Sequence, residues 1–279
     1  MSLTVSVTTR GRYYSTLSLC LTSILTQSLL PNEIILVDDN EKKEFYNIQI
    51  YKDILKIIKN KNIKFSYYYG SSKGQVYAQQ IALENCKTEY LYKMDDDNIL
   101  EYNTLEILYN TIKNNPDIGA VSGLILNNSD INRELKYKSN IYNKIEDLYT
   151  EFNIQMCGKQ DDNIKKVEHI YSNFLFKVNI ADKYSLDFSP SGHREDTVFT
   201  YEIYLKGYDL LINPKAIIWL IINSEGGNRI HSVNNENEIK FLKKLKEWNI
   251  IPNKLKIEEN DEIIFTKKND IEYLIYKKI

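Results

Sequence analysis

Strand-like and helix-like segments alternate through the first half of the chain, and this alternation narrows the possible folds more than any other feature. Short apolar runs are separated by segments whose apolar residues recur every three or four positions. Such an alternation is typical of a mainly parallel sheet covered by helices. We therefore predict an α/β fold, with early strands at residues 3–9, 33–39, 63–69, 89–94 and 119–126.

The length of the chain limits the number of domains, and its charge balance argues against nucleic-acid binding. The chain has 279 residues, enough for one large domain or a domain with an appendage. It carries 36 Lys and Arg against 38 Asp and Glu, whereas proteins that bind nucleic acid by charge usually have a basic surplus. We therefore expect no nucleic-acid partner.

The apolar segments are short, and the cysteines are few. The longest unbroken apolar run, residues 216–222, is far below the roughly 20 residues that a bilayer requires, and it predicts a buried strand. The N-terminus shows no signal-peptide pattern. Cys20, Cys86 and Cys157 lack metal-ligand spacing, and the first two are expected in the core. These features predict a cytoplasmic protein without a transmembrane segment.

The second half of the chain is less regular. Residues 127–163 are polar and weakly periodic, so we expect an insertion rather than an interdomain linker. Strand signals return at 167–178. A helix is then predicted from Asp196 to Lys206, with Gly207 ending it.

A charged C-terminal segment follows the main domain. We place the main domain at residues 1–232 and a C-terminal extension at 233–279. Residues 238–248, EIKFLKKLKEW, have the pattern of an amphipathic helix. We expect this helix to pack on the domain, with peripheral membrane contact as the alternative.

Two of the predicted strands end in carboxylates. Asp38 and Asp39 end one strand, and Asp95, Asp96 and Asp97 end another. Adjacent carboxylates repel one another, so a triplet is costly unless it stands in water or a cation lies among the side chains. Ligands of open α/β sheets bind at the carboxyl ends of the strands, where Mg²⁺ is commonly held by one or two carboxylates with phosphate oxygens. The triplet predicts a metal site; ordinary turns or helix caps are the alternative.

Five motifs in order resemble family 2 glycosyltransferases with the GT-A fold. They are the N-terminal strand, CLTSILTQSLLPNEIILVDDN, GQVYAQQIAL, MDDDN and SGHREDTVFTYEIYLKGYDLLINPKA. Each is short, but as an ordered set they are specific and cover about residues 3–231. The resemblance implies a GT-A, Rossmann-like domain that uses a nucleotide-sugar donor, with a UDP-sugar expected and Mn²⁺ or Mg²⁺ as cofactor.

The resemblance also implies a donor site and a metal site. The residues expected at the donor are Thr9, Arg12, Asp39, Lys73, Gly74, Asp95 and Asp96. Among them, Thr9, Arg12 and Asp39 correspond to positions around the base and ribose. Asp95 and Asp97 correspond to the D-x-D element that binds the metal, with His231 as a further ligand. Family members often have Arg-Asn where this chain has Gln79 and Gln80, which leaves one expected donor contact open.

A second acidic pair, Glu195 and Asp196, stands at the start of the helix predicted from Asp196 to Lys206. By resemblance, Asp196 corresponds to the general base of an inverting transfer to an acceptor hydroxyl, and Glu195 lies near the acceptor, which is a glycan, a lipid-linked sugar or a protein. Acidic residues at a helix start also complement its dipole and cap free amides, so a structural role is the alternative.

Two rival functions share parts of this pattern. A sugar-phosphate nucleotidyltransferase also combines a parallel sheet with metal-bound phosphates, but its glycine-rich basic loop is missing, since TTRGRYYS has a single glycine. A catalytically silent nucleotide-sugar binding protein would keep the donor site and lose the base. The retention of Glu195 and Asp196 argues against the silent protein.

Overall fold

The computed structural model of the chain describes residues 2–126, 149–150, 163–170, 172–190, 192–221, 226–227, 234–249, 262–268 and 271–277. Cys157, His231 and most of the predicted insertion lie outside the described residues. The helices and strands are, in chain order, β1 (Leu3–Thr9), α1 (Leu17–Leu25), β2 (Glu33–Asp38), α2 (Gln49–Asn60), β3 (Lys64–Tyr69), α3 (Gln75–Asn85), β4 (Tyr90–Asp95), β5 (Asn98–Leu100), α4 (Thr104–Ile112), β6 (Ile118–Leu126), β7 (Tyr149–Thr150), β8 (Lys165–Val167), β9 (Phe174–Lys177), α5 (Glu195–Leu205), β10 (Asp209–Leu220), α6 (Asn234–Glu247), β11 (Glu262–Lys268) and β12 (Ile271–Lys277).

The main sheet confirms the predicted α/β fold. Within the described residues its strand order is β3-β2-β1-β4-β9-β6-β10-β5, with β8 also paired to β10. The first four strands in this order are parallel to one another. Strand β9 enters antiparallel between β4 and β6, so the sheet as a whole is mixed. The parallel part therefore brings the carboxyl ends of β1, β2 and β4 to one edge.

Helices cover both faces of this sheet. The alternation in β1 sends Leu3, Val5 and Val7 toward one face, where they pack in a core with residues of α1, α2 and α4. Ile35 and Val37 of β2 point to the other face, into a core shared with α3, α5 and α6. Each fully buried large apolar side chain stabilises such a core by about 1.5–3 kcal/mol. The predicted core positions of the first two cysteines are confirmed, since both are buried.

Helix α6 packs on the domain through its apolar face. Ile239, Leu242 and Leu245, spaced three residues apart, are all buried in the core shared with α3 and α5. The ring of Trp248 lies 5.0 Å from the ring of Tyr201 on α5, measured between centroids. No helix in the described part of the chain is long and apolar enough to cross a membrane. The boundary between residues 232 and 233 stays a prediction.

Candidate active site

A cavity of about 280 Å³ opens at the edge where β1, β2 and β4 end. Its walls come from the ends of these strands, from the start of α3 and from a glycine after β10. The lining residues are Thr8, Thr9, Arg10, Arg12, Asp39, Gln75, Ala78, Asp95, Asp96, Asp97 and Gly227. Six of the predicted site residues, Thr9, Arg12, Asp39 and the aspartate triplet, therefore share one cavity.

The two aspartates at the end of β2 have different surroundings. The Asp38 carboxylate is fully buried and accepts hydrogen bonds from the Tyr67 hydroxyl at 2.5 Å, from the Tyr13 hydroxyl and from Asn40. Asp38 therefore fits the structural alternative. Asp39 lines the cavity instead.

One oxygen of the Asp39 carboxylate has no hydrogen-bond partner among the described residues. Oδ2 of this carboxylate accepts the Gly74 backbone N–H at 3.0 Å and lies 3.4 Å from Arg10 Nη1. Its buried Oδ1 has no hydrogen-bond partner in the described part of the chain. Burial raises the pKa of Asp39, and the Gly74 amide opposes that rise. A buried acceptor without a partner is costly, which favours a hydroxyl or N–H donor supplied by a ligand.

The Arg12 guanidinium neutralises two of the three adjacent carboxylates, those of Asp96 and Asp97. Its Nη1 lies 2.9 Å from Asp96 Oδ1 and 2.5 Å from Asp97 Oδ2, and the Arg12 side chain is only 5% exposed. Burial lowers the pKa of Arg12, but Asp96 and Asp97 outweigh burial and raise it. Burial raises the pKa of Asp96 to about 7 against the lowering effect of Arg12, and burial and Asp95 raise the pKa of Asp97.

Asp95, the first of the triplet, points to a different cation. Its Oδ1 lies 2.9 Å from the ammonium of Lys93, and its Oδ2 accepts the Ser172 hydroxyl at 2.7 Å. Burial raises the pKa of Asp95, but Lys93, the Ser172 hydroxyl and Arg12 together outweigh burial and lower it. Sequence reasoning missed Lys93, although a charged residue inside the apolar strand EYLYKM was a visible signal.

Gly74 and Lys73 contribute differently to the site. Gly74 has φ +104°, and a Cβ there would lie 2.5 Å from the Pro190 Cα, so the position requires glycine. Its amide holds Asp39, as described above. The Lys73 ammonium lies 3.2 Å from the Tyr77 hydroxyl, and this exposed side chain is not among the cavity walls. Its donor role stays a prediction.

Asp196 and Asp95 both pair with the ammonium group of Lys93. Asp196 Oδ2 accepts Lys93 Nζ at 2.7 Å and the Ser172 backbone N–H at 2.9 Å, whereas its buried Oδ1 has no hydrogen-bond partner among the described residues. Burial raises the pKa of Asp196 to about 6, and Lys93 opposes that rise. The described contacts of this side chain go to other segments rather than to the first amides of α5, which weakens the capping alternative.

Glu195 lies beside the cavity wall. A Cβ on Gly192 would stand 3.1 Å from both Glu195 Oε1 and Gln75 Oε1, so Glu195 and the cavity residue Gln75 flank the same glycine. Burial and the neighbouring Asp196 raise the pKa of Glu195 well above its usual range. The two acids at the start of α5 therefore adjoin the carboxylate-lined cavity.

A match between the sequence and a family model identifies the protein family. The model described as glycosyl transferase family 2 matches residues 4–182. The chain belongs to this family. Its membership confirms the resemblance found in the motifs and separates the chain from the nucleotidyltransferases.

Similar proteins were found both by sequence and by structure. Poly-beta-1,6-N-acetyl-D-glucosamine synthase of Staphylococcus epidermidis is 22% identical over 204 residues, which cover 72% of this chain and 46% of that protein. The chain thus spans slightly less than half of that curated relative. The fold matches GalNAc-T7 in complex with UDP, GalNAc and Mn²⁺, with a TM-score of 0.66 and 14% identity over 89% of this chain and 49% of that one. It also matches the mannosyltransferase PcManGT from Pyrobaculum calidifontis in complex with GDP-Man and Mn²⁺, with a TM-score of 0.58 and 13% identity over 89% of this chain and 64% of that one.

The carboxylates of this family 2 site fit a hard divalent cation whose other coordination positions are filled by a bound ligand and water. Within the described residues, no three His, Cys, Asp or Glu side chains form a metal-binding group on their own. Mg²⁺ commonly takes only one or two carboxylates and fills its other positions with water and substrate phosphate oxygens. Asp97, at 19% side-chain exposure, and Asp95, at 23%, both line the cavity, and their role as metal ligands stays a prediction. His231 lies outside the described residues, and its ligand role stays a prediction.

The departure from the family pattern on α3 has a partial structural explanation. Gln80 Oε1 accepts the Tyr184 backbone N–H at 2.7 Å, and its amide nitrogen donates to Glu84 at 2.8 Å. Gln80 therefore joins α3 to the segment before α5. Gln79 is buried, and neither polar atom of its side chain has a hydrogen-bond partner among the described residues.

Proposed function

We propose that the chain transfers a sugar from a UDP-sugar to an acceptor hydroxyl, with inversion at the anomeric carbon and with Mn²⁺ or Mg²⁺ bound. The observation that carries this proposal is the adjacency of two acidic groups with different surroundings. Asp97 lines the cavity and suits a cation that would pair with the negatively charged leaving group. Asp196 is held by one carboxylate oxygen only and suits a base.

The donor nucleotide is proposed to lie along the ends of β1 and β2. Thr9 and Asp39 line this part of the cavity, and Asp39 Oδ1 offers an unpartnered acceptor for a ribose hydroxyl or a base N–H. The preference for UDP comes from the family resemblance and from the UDP complex of GalNAc-T7, whereas PcManGT was solved with GDP-Man. Donor identity is therefore the first quantity to measure.

The diphosphate is proposed to lie against Arg12 and the aspartate triplet. When bound, a divalent cation supplies positive charge that stabilises the departing diphosphate. Asp97 and Asp95 are the residues that would hold it. Arg12 adds a buried positive charge on the same wall, and its Nε has no hydrogen-bond partner among the described residues. Asp97 Oδ2 lies 2.5 Å from Arg12 Nη1, and its Oδ1 accepts Asn98 Nδ2 at 2.9 Å, so a cation held by Asp97 would share or replace one of these contacts.

The acceptor is proposed to approach from the side of α5. In a single displacement the hydroxyl attacks opposite to the leaving diphosphate, so its proton must be taken by a base away from the diphosphate. Asp196 Oδ1 is a buried carboxylate oxygen without a hydrogen-bond partner among the described residues, and Glu195 adjoins the cavity residue Gln75. A glycan, a lipid-linked sugar or a protein remains the predicted acceptor class, and the cytoplasmic location stays a prediction.

The pH dependence of transfer should report the Asp196 carboxylate. Because the pKa of Asp196 is raised to about 6, the base loses its proton as the pH rises through 6. We expect kcat/KM to be nearly constant above pH 7 and to fall about tenfold between pH 7 and pH 5, since kcat/KM reports groups of the free enzyme. A pH profile that stays flat over this interval would exclude a base with this pKa.

A panel of nucleotide sugars tests the proposed function. We expect UDP and one UDP-sugar to raise the melting temperature in the presence of Mn²⁺, and that UDP-sugar to be hydrolysed slowly without an acceptor. Stabilisation by a sugar nucleotide with neither hydrolysis nor transfer would identify the silent binding protein. Stabilisation only by a nucleoside triphosphate with a sugar phosphate would overturn the proposed function.

A further inference from the structure

Lys93 is a fully buried cation in the middle of the main sheet. It lies on β4, between β1 and β9, and its side chain is 2% exposed. The adjacent residues in the strand, Tyr92 and Met94, belong to the core on the opposite face, so Lys93 points toward the face that carries α3, α5 and α6. A buried charge is costly unless it is paired and hydrogen-bonded, so the partners of Lys93 must compensate for its burial.

The Lys93 ammonium joins the two acidic groups of the site. It lies 2.9 Å from Asp95 Oδ1 and 2.7 Å from Asp196 Oδ2. Ser172 completes the connection, because its hydroxyl donates to Asp95 Oδ2 at 2.7 Å and its backbone N–H donates to Asp196 Oδ2 at 2.9 Å. Ser172 itself has φ +65°, an uncommon conformation for a residue with a side chain. The network therefore spans β4, the segment before β9 and the start of α5.

The contacts divide the two oxygens of Asp196 into separate roles. Oδ2 receives both the ammonium and the backbone amide, while Oδ1 receives nothing from the described residues. Two donors on one oxygen fix the rotation of the carboxylate and determine where the other oxygen points. Positioning of this kind matters because a misplacement of about 1 Å can cost about 10²-fold in rate.

We propose that Lys93 is a positioning residue, which fixes Asp196 through Oδ2 so that Oδ1 takes the acceptor proton, and which ties this base to Asp95 on the donor side. This inference rests on the proposed function, in which Asp196 is the base. Lys93 touches neither the sugar nor the acceptor in this account. Its effect on the reaction passes through the Asp196 carboxylate.

The test compares Lys93→Met with a control variant on another strand. Methionine keeps an unbranched side chain in the slot and removes the ammonium. Lys215→Met changes an exposed lysine of β10 and should behave like the parent. With the donor identified by the panel, we expect Lys93→Met to lower kcat about 10²-fold, while UDP affinity changes less than about threefold. An unchanged kcat in folded Lys93→Met, or a loss of UDP affinity as large as the loss in kcat, would overturn the positioning role.

A double variant separates positioning from a general structural effect. In Asp196→Asn the base is already absent, so adding Lys93→Met should slow transfer by no more than about threefold, because two residues that act as a unit are not additive. If Lys93→Met costs the same factor in both backgrounds, the inference is wrong. If Lys93→Met alone does not fold, the double variant is compared with Asp196→Asn only, and a further loss of more than about threefold overturns the inference.

The outcomes distinguish this inference from the proposed function. If the parent transfers no sugar from any nucleotide sugar in the panel, the proposed function fails first. If the parent transfers sugar, Asp196→Asn is slow and Lys93→Met is as fast as Lys215→Met, then only the role of Lys93 is refuted.

Discussion

Asp196→Asn is expected to slow sugar transfer by about 10²- to 10⁴-fold, the range that positioned general bases usually contribute. Asparagine keeps the shape of the side chain and an oxygen that can accept the Ser172 amide, but it cannot take up the acceptor proton. Lys93 retains Asp95 as a charged partner, so the fold should persist. Single-turnover transfer measures the rate, and calorimetry with UDP checks that donor binding is unchanged.

Glu202→Gln provides a matched control for this variant. Glu202 is a partly exposed carboxylate on the same helix, and it is not among the cavity walls. We expect its rate to equal that of the parent. A parent-like rate for Asp196→Asn would falsify the assignment of Asp196 as the base. A loss of its melting transition would instead show that Asp196 acts in the fold.

Asp97→Asn is expected to remove most of the gain in UDP affinity that Mn²⁺ provides. A neutral amide is a poorer ligand for a hard cation than a carboxylate. Outer-shell changes alone commonly cost 10- to 100-fold in metal affinity, so the loss of a direct ligand should cost at least about as much. UDP affinity without metal should change little. Relief of repulsion within the triplet should leave the protein without metal as stable as the parent or slightly more stable.

Calorimetry with UDP, in Mn²⁺ and in EDTA, measures this prediction. Asp53→Asn is the control, because Asp53 lies on the surface of α2 and pairs with Lys56. The metal-dependent gain in affinity should be present in the parent and in the control. An equal gain in Asp97→Asn would remove Asp97 from the metal site.

The fold could be predicted from the sequence largely because its signals are local. Strands such as β1 and β2 are short apolar runs, and turns separate them from helices with a clear period. Strand β5 was missed because three residues carry too little periodicity. The antiparallel entry of β9 was also missed, since pairing between β4 and β6 depends on contacts distant in sequence.

The site was predicted only in part, because local motifs indicate residues but not the contacts that these residues make in the folded chain. The resemblance indicated the acidic residues, and the structure brings Asp39 and the triplet to one cavity. Sequence reasoning weighed Asp38 and Asp39 together, but the Tyr67 hydroxyl, from a neighbouring strand, donates to Asp38 and not to Asp39. Arg12 was expected near the base and ribose, whereas its present partners are two members of the triplet. These pairings arise in the folded chain and leave no local signal.

The anomeric configuration of the product tests the central claim most directly. Single displacement with Asp196 as base inverts the configuration of the transferred sugar, because the acceptor attacks opposite to the diphosphate. The measurement is an NMR spectrum of the product, taken early in the reaction with the donor that the panel identifies. We predict a product whose anomeric configuration is opposite to that of the donor. A product with the donor's configuration would contradict the account.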